Sequence, residues 1–321
     1  MNGLSFPTSL RWPLADSLSM NSPLSPIAVA LVGSLSIYGF YRTILKRTDK
    51  IEKWDEENEL VLITGGSSGI GKQIVEDLSL KKNRVIIWDI QQPEFELPDD
   101  VHFYHVDITS AQAITEVASV VRKVHGDPTV LINNAGVFYH GTILESPERE
   151  FRQTFDVNVI AHFLLVKEFL PSMVRRNKGH VVTMASIASF VAVGEMVDYC
   201  CSKASILAFH EGLTQELKHF YDAPNVRTSI VHPLWVQTPM VKGFTDYQST
   251  FAQPVMSPKT VSERVVDQII SRQGGQIILP TRLFLASALR GLPIPVQEMA
   301  RSFFSKIVYK VRDVRTAANN E

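Results

Sequence analysis

Seven short runs of β-branched and apolar residues constrain this chain more than any other feature. They are residues 60–64, 84–89, 103–106, 129–133, 180–184, 226–231 and 276–279. Each is apolar almost throughout rather than at every second position, as strands are when both faces of their sheet are covered. Between them lie stretches of helical length, among them 110–124, 147–176 and 197–220. Such alternation predicts an α/β fold, a single doubly wound parallel sheet with helices on both faces. Residues 59–281 are long enough to build it as one domain.

The first run leads into Thr64-Gly-Gly-Ser-Ser-Gly-Ile-Gly71, which opens a helix. Strand, glycine loop and helix in this order make a phosphate cradle. Gly65 allows the tight turn, and Gly69 lets backbone N–H groups, with Ser67, Ser68 and Ile70 beside them, approach a pyrophosphate. Gly71 lets helix and strand pack closely. Asp89 ends the second run. A carboxylate there accepts hydrogen bonds from ribose hydroxyls and repels a 2′-phosphate, so NAD(H) is favoured while NADP(H) stays open.

Tyr199 and Lys203 are four residues apart in a helical stretch and share one face of it. A free phenol titrates near pH 10, too high for proton exchange at neutrality, and lowering that by about 3 units needs roughly 4 kcal/mol. The lysine ammonium and a positive nicotinamide ring together can supply it. Ser186 stands at the end of the fifth run, where its hydroxyl can donate to a substrate oxygen gaining negative charge.

Taken together, these motifs resemble the short-chain dehydrogenase/reductase family. Thr-Gly-x-x-x-Gly-x-Gly stands at 64–71 and Asn-Asn-Ala-Gly at 133–136; Asn158, Ser186, Tyr199 and Lys203 match the family's catalytic tetrad. The resemblance implies a Rossmann-type fold and hydride transfer between NAD(P) and an alcohol or carbonyl, with Tyr199 as general acid/base. It implies that Lys203 also holds the nicotinamide ribose, that Asn158 orders a water, and that Asp107 meets the adenine. It further puts Asn134 and Ile70 against the cofactor and Val236 and Thr238 at the nicotinamide carboxamide. One departure is Pro233-Leu234, where the family usually has Pro-Gly. The Trp-Asp strand end, Asp-Tyr-Cys-x-Ser-Lys and the apolar N-terminal segment resemble the retinol and hydroxysteroid dehydrogenase branch. That branch acts on lipophilic substrates at the endoplasmic reticulum or lipid droplets, and homo-oligomers are common in the family. Two other readings compete: a catalytically idle NAD-binding scaffold in the membrane, and a short-chain epimerase or dehydratase.

The N-terminal part divides into a tail at 1–25, an apolar segment at 26–45 and a linker at 46–58. The apolar segment is just long enough for a membrane helix, and Arg42, Lys46, Arg47 and Lys50 behind it predict a cytosolic catalytic domain. With 32 Lys and Arg against 33 Asp and Glu, nothing draws the chain to nucleic acid. Cys200 and Cys201 are adjacent and read as buried helix thiols; the scattered histidines lack the spacing of a metal site. Met240, Phe244, Phe251, Val255 and Met256, in the connection 238–258, are expected to close a lipophilic pocket together with the apolar C-terminal extension, 282–321. That extension is a substrate cap or a membrane contact.

Overall fold

A computed structural model describes residues 54–56, 58–242 and 254–318, with side chains described as far as Arg312. Strands β1 (Leu60–Thr64), β2 (Arg84–Asp89), β3 (Val101–His105), β4 (Val130–Asn133), β5 (Gly179–Met184), β6 (Val226–Pro233) and β7 (Gly275–Leu279) form one sheet. Its order is β3-β2-β1-β4-β5-β6-β7, and every pairing is parallel. Each expected run is a strand, and the fold is the expected doubly wound one.

Helices α1 (Gly69–Leu80), α2 (Ala111–His125), α3 (Glu148–Phe155), α4 (Ala161–Arg176), α5 (Val197–His219), α6 (Pro258–Ile270) and α7 (Ile294–Ala318) complete the described chain. Because successive side chains on a strand face opposite ways, the sheet has two separate cores. Leu62, Ile86, Trp88 and Leu131 meet α2, α4 and α5 on one face. Val61, Ile63, Ile87 and Ile132 meet α1 and α6 on the other. All of these strand residues are fully buried, and at about 1.5–3 kcal/mol for a large apolar side chain they dominate the folding energy.

The chain runs outward from β1 to β3, then returns to place β4 on the other side of β1. That reversal opens a crevice beyond the carboxyl ends of β1 and β4, where ligands bind in such sheets. Here the loops after the two strands touch: a Cβ on Gly65 would stand 2.8 Å from the Cα of Ala135.

The stretch expected as one helix over 147–176 is interrupted. Residues Asp156–Ile160 form a π turn between α3 and α4; such turns recur at functional sites, and this one carries Asn158. The run Glu148–Arg176 is also long and apolar enough to cross a membrane, but more than half of its most apolar 18-residue stretch is buried in the protein. Its α4 part is a core helix, with Leu165, Phe169 and Met173 fully buried. The apolar segment at 26–45 lies outside the described residues. Trp54 packs back onto the domain, donating from Nε1 to Asn83 Oδ1 at 2.8 Å. Glu59 is buried between Arg272 and Lys178. Of the two cysteines only Cys200 is buried; Cys201, about 100° further round the helix, faces solvent.

Candidate active site

Gly65 and Gly69 adopt positive φ, +67° and +55°, which is open to glycine at little cost. A Cβ on Gly71 would stand 2.0 Å from the oxygen of Gly65, so this position admits no side chain. Behind the loop, Thr64 Oγ1 accepts the N–H groups of Asn134 and Ala135, each at 3.1 Å. Asn134 Nδ2 donates to the carbonyls of Thr64 and Gly65 at 3.0 Å. The Asn134 amide nitrogen thus braces the glycine loop.

An open cleft of about 640 Å³ follows this crevice. Gly65, Ser68, Gly69, Ile70, Asp89, Asp107, Asn134, Ser186, Tyr199, Lys203, Val236 and Thr238 line it. Ser67, Gly71 and Asn158 do not. Ser67 instead ties the loop to β2, giving its N–H to Asp89 Oδ2 at 3.0 Å and its hydroxyl to the Gln91 carbonyl at 2.6 Å. Asp89 Oδ1 also accepts the N–H of Gln91 at 3.0 Å, which aims the carboxylate along the cleft wall. Ser68, the residue before α1, makes no side-chain cap, and the first turn holds no acid. The helix N-terminus is therefore free to meet an anion. A glycine-rich cradle, an uncapped helix and a fixed carboxylate together fit a dinucleotide. Arg149, Arg152 and Asp156 line the cleft as well; no motif marked them.

Tyr199 and Lys203 sit one turn apart on α5, with the lysine Nζ 5.5 Å from the centre of the tyrosine ring. Lys203 is buried and donates to the main-chain oxygen of Met184 at 2.9 Å. Burial brings its pKa down to about 8. Burial also pushes the Tyr199 phenol up to about 12, against a smaller downward pull from its hydrogen bond with Ser186. Desolvation opposes the phenolate, and the lowering expected of Tyr199 draws on a positive nicotinamide ring as well as on Lys203.

Asn158 is fully buried. Its Oδ1 accepts the Val137 N–H at 2.8 Å, and its Nδ2 donates to the Val137 carbonyl at 2.9 Å and to Ser202 Oγ at 3.1 Å. The carboxamide is occupied by protein groups and holds the segment after β4 against α5.

A second cavity, about 80 Å³, opens beside Ser186 and Tyr199. Apart from those two hydroxyls its wall is hydrocarbon, thioether or aromatic. Met240 and Val241 come from the connection after β6, and Phe304, Ile307 and Val308 from α7. Val255 and Met256 are described: Val255 packs on the cluster around Met196 and Cys200, and Met256 bridges Val236. Phe244 and Phe251 lie outside the described residues. Phe138, Val193, Met196 and Trp235 also form the wall, and no motif marked them. The apolar run between Ser186 and Tyr199 carries a signal for Val193 and Met196 alone.

Residues 59–249 match the model of the short chain dehydrogenase family. The chain belongs to that family. It is 33% identical over 245 residues to human 17-beta-hydroxysteroid dehydrogenase 13, covering 74% of this chain and 80% of the relative. It is 34% identical over 268 residues to human estradiol 17-beta-dehydrogenase 11, covering 79% and 87%. Dehydrogenase RED2 of Cochliobolus heterostrophus is 41% identical over 182 residues, 56% of this chain and 69% of that one. Among solved structures, 4-hydroxyisoleucine dehydrogenase complexed with NADH superposes with a TM-score of 0.64 at 20% identity, covering 69% of this chain and 96% of that one. A 3-ketoacyl-(acyl-carrier-protein) reductase from Brucella melitensis, also with NADH, gives 0.63 at 19%, covering 70% and 98%. These two share its fold. As a short chain dehydrogenase the chain is an NAD(P)-dependent oxidoreductase that passes a hydride between a nicotinamide cofactor and an alcohol or carbonyl.

Proposed function

We propose that this enzyme interconverts a lipophilic alcohol and its carbonyl with NAD(H), using Tyr199 as proton donor and acceptor and Ser186 as the hydrogen-bond donor to the substrate oxygen. The observation that carries the substrate class is the second cavity, whose only hydroxyls are those of Ser186 and Tyr199 at one end of an apolar wall. A substrate there presents one oxygen to the two hydroxyls and buries the rest. Relatives named for hydroxysteroids and estradiol support the same class.

When bound, the nicotinamide supplies or takes the hydride. The protein handles the proton and the charge on oxygen. Burial favours the protonated form of Tyr199, and the phenol can give that proton to a carbonyl oxygen during reduction. Ser186 can turn its hydroxyl from the Pro233 carbonyl to the same oxygen, where charge develops. Working as a base, Tyr199 needs positive charge beyond that of Lys203, and the oxidised nicotinamide ring would bring it. Asp89 and Asp107 would hold the adenosine half, Gly65 to Ile70 the pyrophosphate, and Val236 and Thr238 the carboxamide.

A lipid surface, of the endoplasmic reticulum or a lipid droplet, is the partner this reading implies, with the catalytic domain on the cytosolic side. Phe284, Leu285, Ile294, Met299 and Phe303 are each more than half exposed, on the 3₁₀ turns of Thr281–Gly291 and on α7. Exposed apolar side chains of this kind suit an interface between water and lipid. Deleting residues 1–45 should release the protein from membranes in a flotation assay, and Phe303→Asp should weaken any attachment that remains.

The deciding experiment gives the purified enzyme NAD⁺ or NADP⁺ with estradiol, retinol, decan-1-ol or a short polar alcohol and follows reduced-nicotinamide absorbance. Turnover of the lipophilic alcohols with NAD⁺ is expected. Turnover of the short polar alcohol alone would overturn the substrate class.

A further inference from the structure

We infer that His232 is a positioning residue for Ser186: its ring, held between Gln276 and the main-chain oxygen of Ser186, determines where the serine hydroxyl points. This rests on the reading of Ser186 given above, and neither the motifs nor the family resemblance marks His232.

His232 lies just before Pro233 at the end of β6 and is fully buried. The Phe190 ring covers it at 4.5 Å between centroids. Its Nδ1 is 3.0 Å from the Ser186 carbonyl oxygen. That oxygen only accepts, so Nδ1 carries a hydrogen. Its Nε2 is 3.1 Å from Gln276 Nε2, which only donates, so Nε2 presents a lone pair. Both contacts require one neutral tautomer. Burial is the main reason the ring stays uncharged, with its pKa lowered to about 4.

The consequence falls on Ser186. Its carbonyl also accepts the Ser189 N–H at 2.9 Å, so the oxygen is held from two sides and the backbone stays extended, at φ −168° and ψ 161°. Its Oγ accepts the Ala188 N–H at 3.1 Å. One hydroxyl hydrogen remains: it lies toward the Pro233 carbonyl, 3.4 Å away, while Tyr199 lines the same cavity. The contact to Pro233 is at the long limit for a hydroxyl. Releasing the His232 bond lets the Ser186 peptide rotate and the hydroxyl settle on Pro233, where it is lost to the substrate. Adjacent residues of β6 thus supply both the restraint and the competing acceptor.

The test uses the full chain with NAD⁺ and whichever of estradiol, retinol or decan-1-ol it turns over fastest. His232→Leu should lower kcat at least tenfold while KM for NAD⁺ stays within twofold. His232→Asn, whose amide nitrogen occupies the place of Nδ1, should recover most of that loss. In a Ser186→Ala background, His232→Leu should cost less than a further twofold. Gln276→Leu, at a largely exposed position, should cost a few-fold in the wild type and nothing in that background, which covers the case of an unfolded leucine variant. An equal kcat loss in both backgrounds, or a loss confined to KM, would overturn the inference. So would nitrogen-labelled histidine spectra of the wild type placing the proton on Nε2. If Ser186→Ala itself retains near-normal turnover, or if none of the three alcohols is oxidised, the proposed function fails first and His232 has nothing to position.

Discussion

Lys203 Nζ lies 2.9 Å from the main-chain oxygen of Met184, the last residue of the strand that leads into Ser186. The bond crosses from α5 to β5, so the ammonium and the serine hydroxyl share one rigid support and Tyr199 stands a turn away. The lysine does not reach the phenol oxygen as its bonded partner; its influence there is one of charge through a buried site.

Tyr199→Phe removes the proton donor and keeps a ring to pack against Phe138, 5.2 Å away between centroids. Turnover should fall at least a hundredfold, in line with general acid/base contributions of about 10²–10⁴, with little change in NAD⁺ affinity or melting temperature. Steady-state rates together with cofactor titration by fluorescence check this. Activity within threefold of wild type would remove Tyr199 from the chemistry.

Asp89→Asn discards the charge that repels a 2′-phosphate and keeps an accepting oxygen for one of the two N–H groups, of Ser67 and Gln91, that the carboxylate takes on separate oxygens. The wild type should prefer NAD(H), and the variant should use NADP(H) at least tenfold better in kcat/KM. A wild type that already favours NADPH tenfold would contradict this role for Asp89.

A cavity of about 80 Å³ is well below the roughly 300–1,000 Å³ of ordinary ligand pockets, so a large substrate must push its wall aside. Phe304, on α7, is one such wall residue. Phe304→Ala should raise kcat/KM for estradiol relative to decan-1-ol by several-fold. Ile307→Asp should depress both without altering NAD⁺ binding. A Phe304→Ala variant with an unchanged ratio would argue against α7 as the cap.

Arg312 clamps that helix, pairing with Glu145 at 2.5 Å and Glu195 at 3.1 Å. Ser305 Oγ adds a second tie by accepting the Gly194 N–H at 3.1 Å. Arg312→Ala should leave KM for NAD⁺ alone, raise KM for the lipophilic substrate and speed proteolysis of the C-terminal helix. Unchanged proteolysis would mean the apolar contacts of α7 suffice.

Burial lowers His162 and His180 to a pKa of about 3, and His210 and His232 to about 4, from the ordinary 6.5. Each must be neutral in the folded state. The sign follows: their contribution is complete above pH 6.5 and is lost as pH falls through that value toward 3. Urea midpoints measured from pH 8 to pH 4 should drop on the acid side. His162→Phe, which removes one titrating ring beside Phe209, should make that drop shallower; an unchanged slope would exclude His162 as a contributor.

The sheet was legible before any coordinates because burial on both faces leaves strands that are apolar throughout, a pattern local to each run. The glycine loop was legible for a similar reason: the demand for positive φ at Gly65 and Gly69, and for no side chain at Gly71, is written in residue type. Tyr199 and Lys203 could be paired because helical spacing brings residues four apart onto one face. The π turn at Asn158 was not legible, since nothing in Asp-Val-Asn-Val-Ile distinguishes it from continuing helix. Nor was the burial of Tyr199, because it depends on segments far apart along the chain, such as the one that brings the Phe138 ring to 5.2 Å from the tyrosine ring. Sequence alone determined the strands, the cradle and the identity of the reactive groups. Tertiary structure decided how dry they are and which hydrogen bonds remain open to a ligand, because both depend on distant segments meeting in space.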